Sequence, residues 1–243
     1  MAVFAMTSVG VIVDSLAVTG FANELDMSVN AEELDFTTFG SGGWRTKKVG
    51  LATHNCSIRG FQDYATTGVD PTFPISGLGG LDTFTIAPSG GSAVGDPVFF
   101  GQGRLIDYTP LTGEVGAPAM FGFGWTGDAQ LVRGQMLHPA AARTVTGSGT
   151  TTTFTAPTAT QSLYAAFHVL SVTGSGTITF TIQTDDNSGM TSATTRITSS
   201  GFTAVGHQFT SVAGALTGET HIRVGYTITG FTSVTFAASA GVL

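Results

Sequence analysis

Every second residue is apolar in the run that starts at Ile222: Ile222, Val224, Tyr226 and Ile228 alternate with Arg223, Gly225 and Thr227. Successive side chains of a strand point to opposite faces, so a period of two marks a half-buried strand. A helix would need its apolar stripe to repeat about every 3.6 residues. The same period recurs along the chain. Ile178, Phe180 and Ile182 alternate with threonines, and Val234 and Phe236 continue the pattern. Near the start, Leu25, Met27 and Val29 share one face, and Glu24, Asp26, Ser28 and Asn30 the other. Phe84 and Ile86 alternate, and Leu105 and Ile106 lie in a run ending at Tyr108-Thr109-Pro110. In Ala119–Trp125 the aromatics Phe121, Phe123 and Trp125 oppose Met120, Gly122 and Gly124. That stripe predicts core packing, and its glycines predict close approach of another backbone or subunit. Leu163–Val172 is apolar on both faces, which predicts a central strand covered on both sides or at an interface. The one helical signal is Asp70-Pro71, an N-cap and first helical residue, which Pro74 limits to a turn or two.

Composition agrees with an all-β chain. Of 243 residues, 10% are charged, 42% are apolar and 34 are Gly, so the length allows one large or two medium domains. The chain is poor in the Glu and Lys that favour long helices and rich in Thr, Val, Ile and Phe. The glycines have no fixed period, which excludes a collagen-like chain. Cys56 is the single cysteine, so no internal disulfide forms, and it is expected to be a small buried side chain on a strand. The N-terminal stretch lacks a basic start and is interrupted by Asp14; neither a signal peptide nor a membrane span fits it.

Charge is uneven. Residues 1–139 hold 13 acidic and 6 basic side chains, and residues 140–243 hold 3 of each. A nucleic-acid binder needs the opposite sign, because Lys and Arg neutralise phosphates. The best boundary is His138-Pro139-Ala140, after which charge vanishes and Thr, Ser and Gly dominate. The reading is a first domain at 1–139 and a C-terminal β-sandwich at 140–243. Turns within the sandwich are expected at Gly174-Ser175-Gly176, Asp185–Gly189, Gly214 and Gly230.

No motif carries catalysis. His54, His138, His168, His207 and His221 form no close ligand pair, so no metal is assigned. The Asp185-Asp186-Asn187 run lacks the rest of a calcium loop and is expected to be a turn. Glu32, Glu33 and Asp35 form a local charge run rather than a separated carboxylate pair. Gly40–Gly43 lacks the Lys-Ser/Thr ending of a phosphate loop, and no serine sits in a nucleophile elbow. Neither an enzyme nor a bound cofactor is expected.

Two blocks do carry a pattern. The first runs from Glu32-Glu33-Leu34-Asp35 through Gly40-Ser41-Gly42-Gly43-Trp44 and Arg45, Lys47 and Lys48 to Phe61-Gln62-Asp63-Tyr64. The second is Tyr108–Gly116 followed by Gly127-Asp128-Ala129-Gln130-Leu131-Val132-Arg133. Together they resemble the major tail tube proteins of long-tailed, siphovirus-type bacteriophages, over about Val9–Gly134. The resemblance implies two packed antiparallel sheets with one short helix, and hexameric rings that stack into the tube conducting the genome from the virion. Its partners would be copies of itself and other tail proteins, with DNA passing through unbound. Synthesis would be in the bacterial cytoplasm. The Asp70 region departs from the family in helix quality. The C-terminal sandwich would decorate the outside.

Two site expectations follow. The loop Phe36–Gly50, with Trp44, Arg45, Lys47 and Lys48, is expected to reach the neighbouring ring, with a solvated hairpin loop as the other reading. Glu24 and Asp26 are expected to line the channel, with a solvated outer face as the other reading. The alternative from a different class is a β-sandwich adhesin or carbohydrate-binding module, served by Tyr164 and Phe202 if these are exposed rather than core.

Overall fold

The computed structural model describes residues 8–42, 44–64, 68–72 and 77–243. Gly43, Pro74 and the first seven residues, on which parts of the reading above rest, lie outside the described residues. The protein is all-β. Its strands are β1 (Gly10–Val13), β2 (Leu16–Ala17), β3 (Ala22–Asp35), β4 (Lys47–Phe61), β5 (Leu81–Ala87), β6 (Pro97–Thr112) and β7 (Met120–Gly127). They continue as β8 (Val132–Arg143), β9 (Gly147–Ser148), β10 (Thr152–Thr153), β11 (Ser162–Asp185), β12 (Thr194–Thr198), β13 (Gly206–Ala213) and β14 (His221–Val242). Among the described residues the only α-helix is α1 (Val69–Thr72), as short as the prolines predict. No helix among them is long and apolar enough to cross a membrane.

The chain forms two compact units. The larger comprises Met1–Phe21, Asp82–Gln102 and Leu131–Leu243; the smaller comprises Ala22–Leu81 and Gly103–Gln130. This division differs from a cut at 139/140, which falls inside β8, a strand hydrogen-bonded to β14 from Gly134 to Arg143. His138, at the expected boundary, is buried and stacked on Phe236 with ring centroids 4.1 Å apart. Composition marks where charge disappears. Strand pairing, which decides what folds together, leaves no compositional trace at Leu81/Asp82 or Gln102/Gly103.

In the larger unit the strand order is β12-β11-β14-β8-β6-β5-β1-β2, with β13 on β11 and β9 and β10 on β14. The residues of β6 that pair with β8 here are Pro97–Phe100. β11 and β14 pair antiparallel along nearly their whole lengths. Phe167 and Phe180 both lie on β11, yet their rings stack with centroids 5.1 Å apart. Thirteen residues of straight strand would separate them by about 43 Å, so the strand turns back on itself. The bend falls at Gly174–Thr177, where the register shifts twice. Gly174 and Gly230 have φ near +90° and +83°, and a Cβ on Gly176 would lie 2.1 Å from the Thr229 carbonyl oxygen. The glycines expected to end short strands are therefore bulges within long ones. The bend brings Phe167, Phe180, Tyr226, Phe231 and Phe236 into one buried cluster, which is the sandwich core. Residues Ala165–Val169 are buried on both faces of β11, flanked by β13 and β14, as the doubly apolar run predicts.

The smaller unit is built on a four-stranded antiparallel sheet, ordered β3-β4-β7-β6. Its core face carries Cys56, Ile58, Leu105, Tyr108, Phe121, Phe123 and Trp125, all buried. The aromatic stripe of β7 packs as predicted, with Phe123 4.9 Å from Phe121, 5.4 Å from Trp125 and stacked on Tyr108 at 5.1 Å. Burial pushes the Cys56 thiol up to about 12, so it is a packed side chain and not a nucleophile. The two sequence blocks meet here. Gln62 Nε2 donates to the Pro110 carbonyl at 2.6 Å and Tyr64 Oη to the same oxygen at 3.2 Å. Tyr108 Oη donates to Asp70 Oδ1 of α1 at 2.7 Å. Asp128 receives Arg104 Nε at 2.8 Å.

Candidate functional site

β3 and β4 pair from Ala22 opposite Gly60 to Asp35 opposite Lys47. β7 accompanies β4 only between Phe61 and Asn55. From Val29 to Asp35 the ribbon has no third strand among the described residues, and it extends roughly 20 Å as a two-stranded arm. Nearly every side chain along it is exposed.

The tip is ordered by local bonds. Phe36 N–H donates to the Thr46 carbonyl at 2.8 Å, which extends the ladder by one step. Thr46 N–H donates to Thr37 Oγ1 at 3.0 Å, and Thr37 N–H to Asp35 Oδ1 at 2.8 Å. The side-chain and backbone bonds from Thr37 hold the Asp35 carboxyl below its usual range. The loop expected over Phe36–Gly50 is thus shorter, because Lys47–Gly50 belong to β4. Two of its cations have partners within the chain: Lys47 pairs with Glu33, and Lys48 Nζ lies 5.0 Å from the Phe36 ring centroid. Trp44 and Arg45 stay exposed at the tip, Trp44 by 82%.

The arm carries further apolar groups that the site expectation did not include. Val29, Phe39, Val49 and Leu51 are exposed, Val49 by 79% and Leu51 by 85%. A row of large apolar side chains on an unpaired ribbon is a surface built to be covered.

The sheet's other face is polar. Directly opposed residues on neighbouring strands share a face. One row reads Glu24, Arg59, Gly122 and Thr109; the next reads Asp26, Ser57, Gly124 and Asp107. Glu24 and Asp26 are exposed on this face, as their alternation predicts, and Asp107 joins them there unanticipated. Arg59 Nη1 lies 3.9 Å from Glu24 Oε2, an exposed pair. The rows floor a shallow groove of about 490 Å³. Within the chain, the nearest atoms to a Cβ on Gly122 or Gly124 belong to side chains of Arg59, Thr109 and Asp107, not to backbone. The smaller unit holds ten acidic and five basic side chains, a net charge of −5.

Neither aromatic proposed for a sugar platform is free. Tyr164 stacks on Phe209 at 5.7 Å, and Phe202 packs edge-on against Phe180 at the same distance. Asp185–Gly189 is a turn: Asp185 accepts bonds from the Asn187 and Ser192 backbones at 3.1 and 2.8 Å. Among the described residues no three His, Cys, Asp or Glu side chains are grouped to hold a metal ion.

No family model matches the sequence, and no curated protein matches it. Among solved structures the chain is similar to the tail of an empty gene transfer agent particle, computed with helical refinement and C6 symmetry, at 19% identity and TM-score 0.39, covering 50% of this chain and 92% of that one. It is similar to a protein of the native gene transfer agent virion at 16% identity and TM-score 0.37, covering 50% and 93%. It is also similar to the SPP1 Dit protein, described as a hub of the adsorption apparatus of phages infecting Gram-positive hosts, at 12% identity and TM-score 0.34, covering 98% and 100%. At these values the likenesses carry no role over to this chain.

Proposed function

We propose that this protein is a structural subunit of a phage-type tail tube, assembling into rings that stack through the β3–β4 arm. The observation that carries the reading is the arm itself, a ribbon about 20 Å long that leaves Val29, Phe39, Trp44, Val49 and Leu51 uncovered. The occupant of this surface is a second copy of the chain. A head-to-tail contact that closes on rotation makes a ring, and pairing of the free β3 edge satisfies a row of unpaired backbone groups. The resemblance in the two sequence blocks supports six subunits and a genome conduit. In this assembly Trp44 and Arg45 reach the next ring, with Lys47 and Lys48 holding the tip in shape.

The polar face with Glu24, Asp26 and Asp107 lines the bore. DNA carries one charge per about 1.7 Å of axis, so a carboxylate wall repels it weakly and evenly and offers no place to stall. The C-terminal sandwich, residues 140–243, decorates the outside of the tube. Its role is structural, with neither catalysis nor a cofactor required.

Negative-stain microscopy of the purified protein tests this directly. Rings or tubes with a central bore are expected. A monodisperse monomer at high protein concentration, by microscopy and sedimentation, overturns the reading.

A further inference from the structure

A head-to-tail contact needs two unlike surfaces on one molecule. The arm tip is one of them, and the smaller unit carries a second at the far end of the same sheet. β4 starts beside the tip at Lys47 and ends at Phe61, which lies opposite Met120 of β7, and Met120 in turn lies opposite Thr112 of β6. The β6–β7 turn therefore stands beyond the end of β4 that is remote from the tip. A straight strand of the length of β4 spans about 45 Å.

Four large apolar side chains are exposed at this remote end: Phe61, Tyr64, Leu111 and Val115, the last of them completely. The backbone beneath them is fixed. Gln62 N–H donates to the Ala119 carbonyl at 2.9 Å, and the Pro110 carbonyl accepts from both Gln62 Nε2 and Tyr64 Oη. Ala117 N–H donates to the Glu114 carbonyl at 3.0 Å and closes the turn, with Gly116 at a φ of +91° that a side chain would strain. A surface already ordered in this way loses little freedom when a partner covers it.

Charge complements the apolar groups. Arg45 on the tip and Glu114 in the turn are both exposed, and neither has an ion-pair partner among the described residues. The other tip cations are engaged, Lys47 with Glu33 and Lys48 with the Phe36 ring. Each unpaired charge adjoins an exposed apolar residue in the chain, Arg45 next to Trp44 and Glu114 next to Val115.

We propose that the arm tip of one copy docks on the β6–β7 turn of a second copy, with Trp44 against Leu111 and Val115 and Arg45 against Glu114. This contact presupposes the stacked assembly proposed above and supplies its receiving surface. Tip and turn lie at opposite ends of one sheet, so every docked copy still offers one free end, and the contact propagates without closing. The apolar groups carry the affinity. The ion pair sets the register, since an exposed pair contributes little by itself.

The test uses tubes of the full chain with Val115→p-benzoylphenylalanine, illuminated and then analysed by mass spectrometry of the cross-linked peptides. The expected adduct joins the turn to residues 36–46 of another copy, because tip and turn of one chain lie too far apart to react. Charge reversal reads the pair separately. Arg45→Glu and Glu114→Arg are each expected to shorten tubes, most at low ionic strength, and the two together to restore wild-type length. Adducts to other segments only, or a double variant with tubes no longer than those of either single one, overturn the docking site and leave tube formation standing. Wild-type protein that forms no tubes overturns the assembly and this contact together. Should p-benzoylphenylalanine at this site prevent tubes from forming, the charge reversal decides alone.

Discussion

The molecule contains two long antiparallel ribbons with opposite fates. β11 and β14 bend back at Gly174, Gly176 and Gly230 and bury their aromatics against themselves. β3 and β4 also change register, between Ala22 and Glu24 and between Ala31 and Glu33, but Gly50, the glycine of the distal part, keeps an ordinary φ and meets only side chains of Glu32 and Leu34. That ribbon stays extended, and its Val49, Leu51 and Trp44 remain in solvent. Apolar content does not separate the two. The presence of glycines that admit a tight backbone approach does, because only they let a pleated ribbon turn over onto its own apolar face.

The comparison breaks most readily at its glycines. Gly176→Val places a Cβ 2.1 Å from a backbone oxygen, and nothing there is a flexible side chain. The expected loss is more than about 3 kcal/mol, or failure to fold, read by thermal or denaturant unfolding. Gly50→Ala on the arm should change stability by less than about 1 kcal/mol, since side chains can move aside. Equal losses at the two positions would show that the bend does not depend on close backbone approach.

A smaller effect on folding and a larger one on assembly are expected at Trp44. Exposed by 82%, it contributes little to the isolated chain, so Trp44→Ala should shift unfolding by less than about 0.5 kcal/mol. Rings should persist while tubes shorten, because a buried aromatic dominates a contact more than its flanking charges do. Tubes of normal length and stability in micrographs would remove Trp44 from the contact between rings.

The smallest structural effect belongs to the polar face. Glu24→Lys with Asp26→Lys replaces exposed carboxylates and breaks only the loose 3.9 Å pair with Arg59. Assembly should be preserved while genome ejection slows, most at low ionic strength, where phosphate attraction is least screened. Unchanged ejection kinetics at low salt with intact tubes would place both residues elsewhere than the bore.

Much of the fold is legible in the sequence. The β7 stripe Phe121, Phe123, Trp125 follows from side-chain alternation, and the doubly buried stretch of β11 from a continuous apolar run. What escapes is long-range. Gly174 and Gly230 are locally indistinguishable from turn glycines, and only the partner strand shows that pairing continues past them. The arm is legible as a hairpin, because Asp35 and Lys47, of opposite charge, face each other across the Gly-rich tip. The Asp14–His207 contact, between residues 193 apart in sequence, has no local mark, although an Asp in a tight turn that favours Gly or Asn hints at a constraint.

Cys56 gives the chain an experimental consequence. The only thiol is 3% exposed and barely ionises, so thiol-directed dyes will pass it by in the native protein. A second cysteine introduced at an exposed site such as Thr38 on the arm tip would then be the sole reactive position. Donor and acceptor dyes attached there in separate batches and mixed would report, by energy transfer, each subunit's arrival beside another. Growth of the assembly could be followed in real time without removing any native residue from the core.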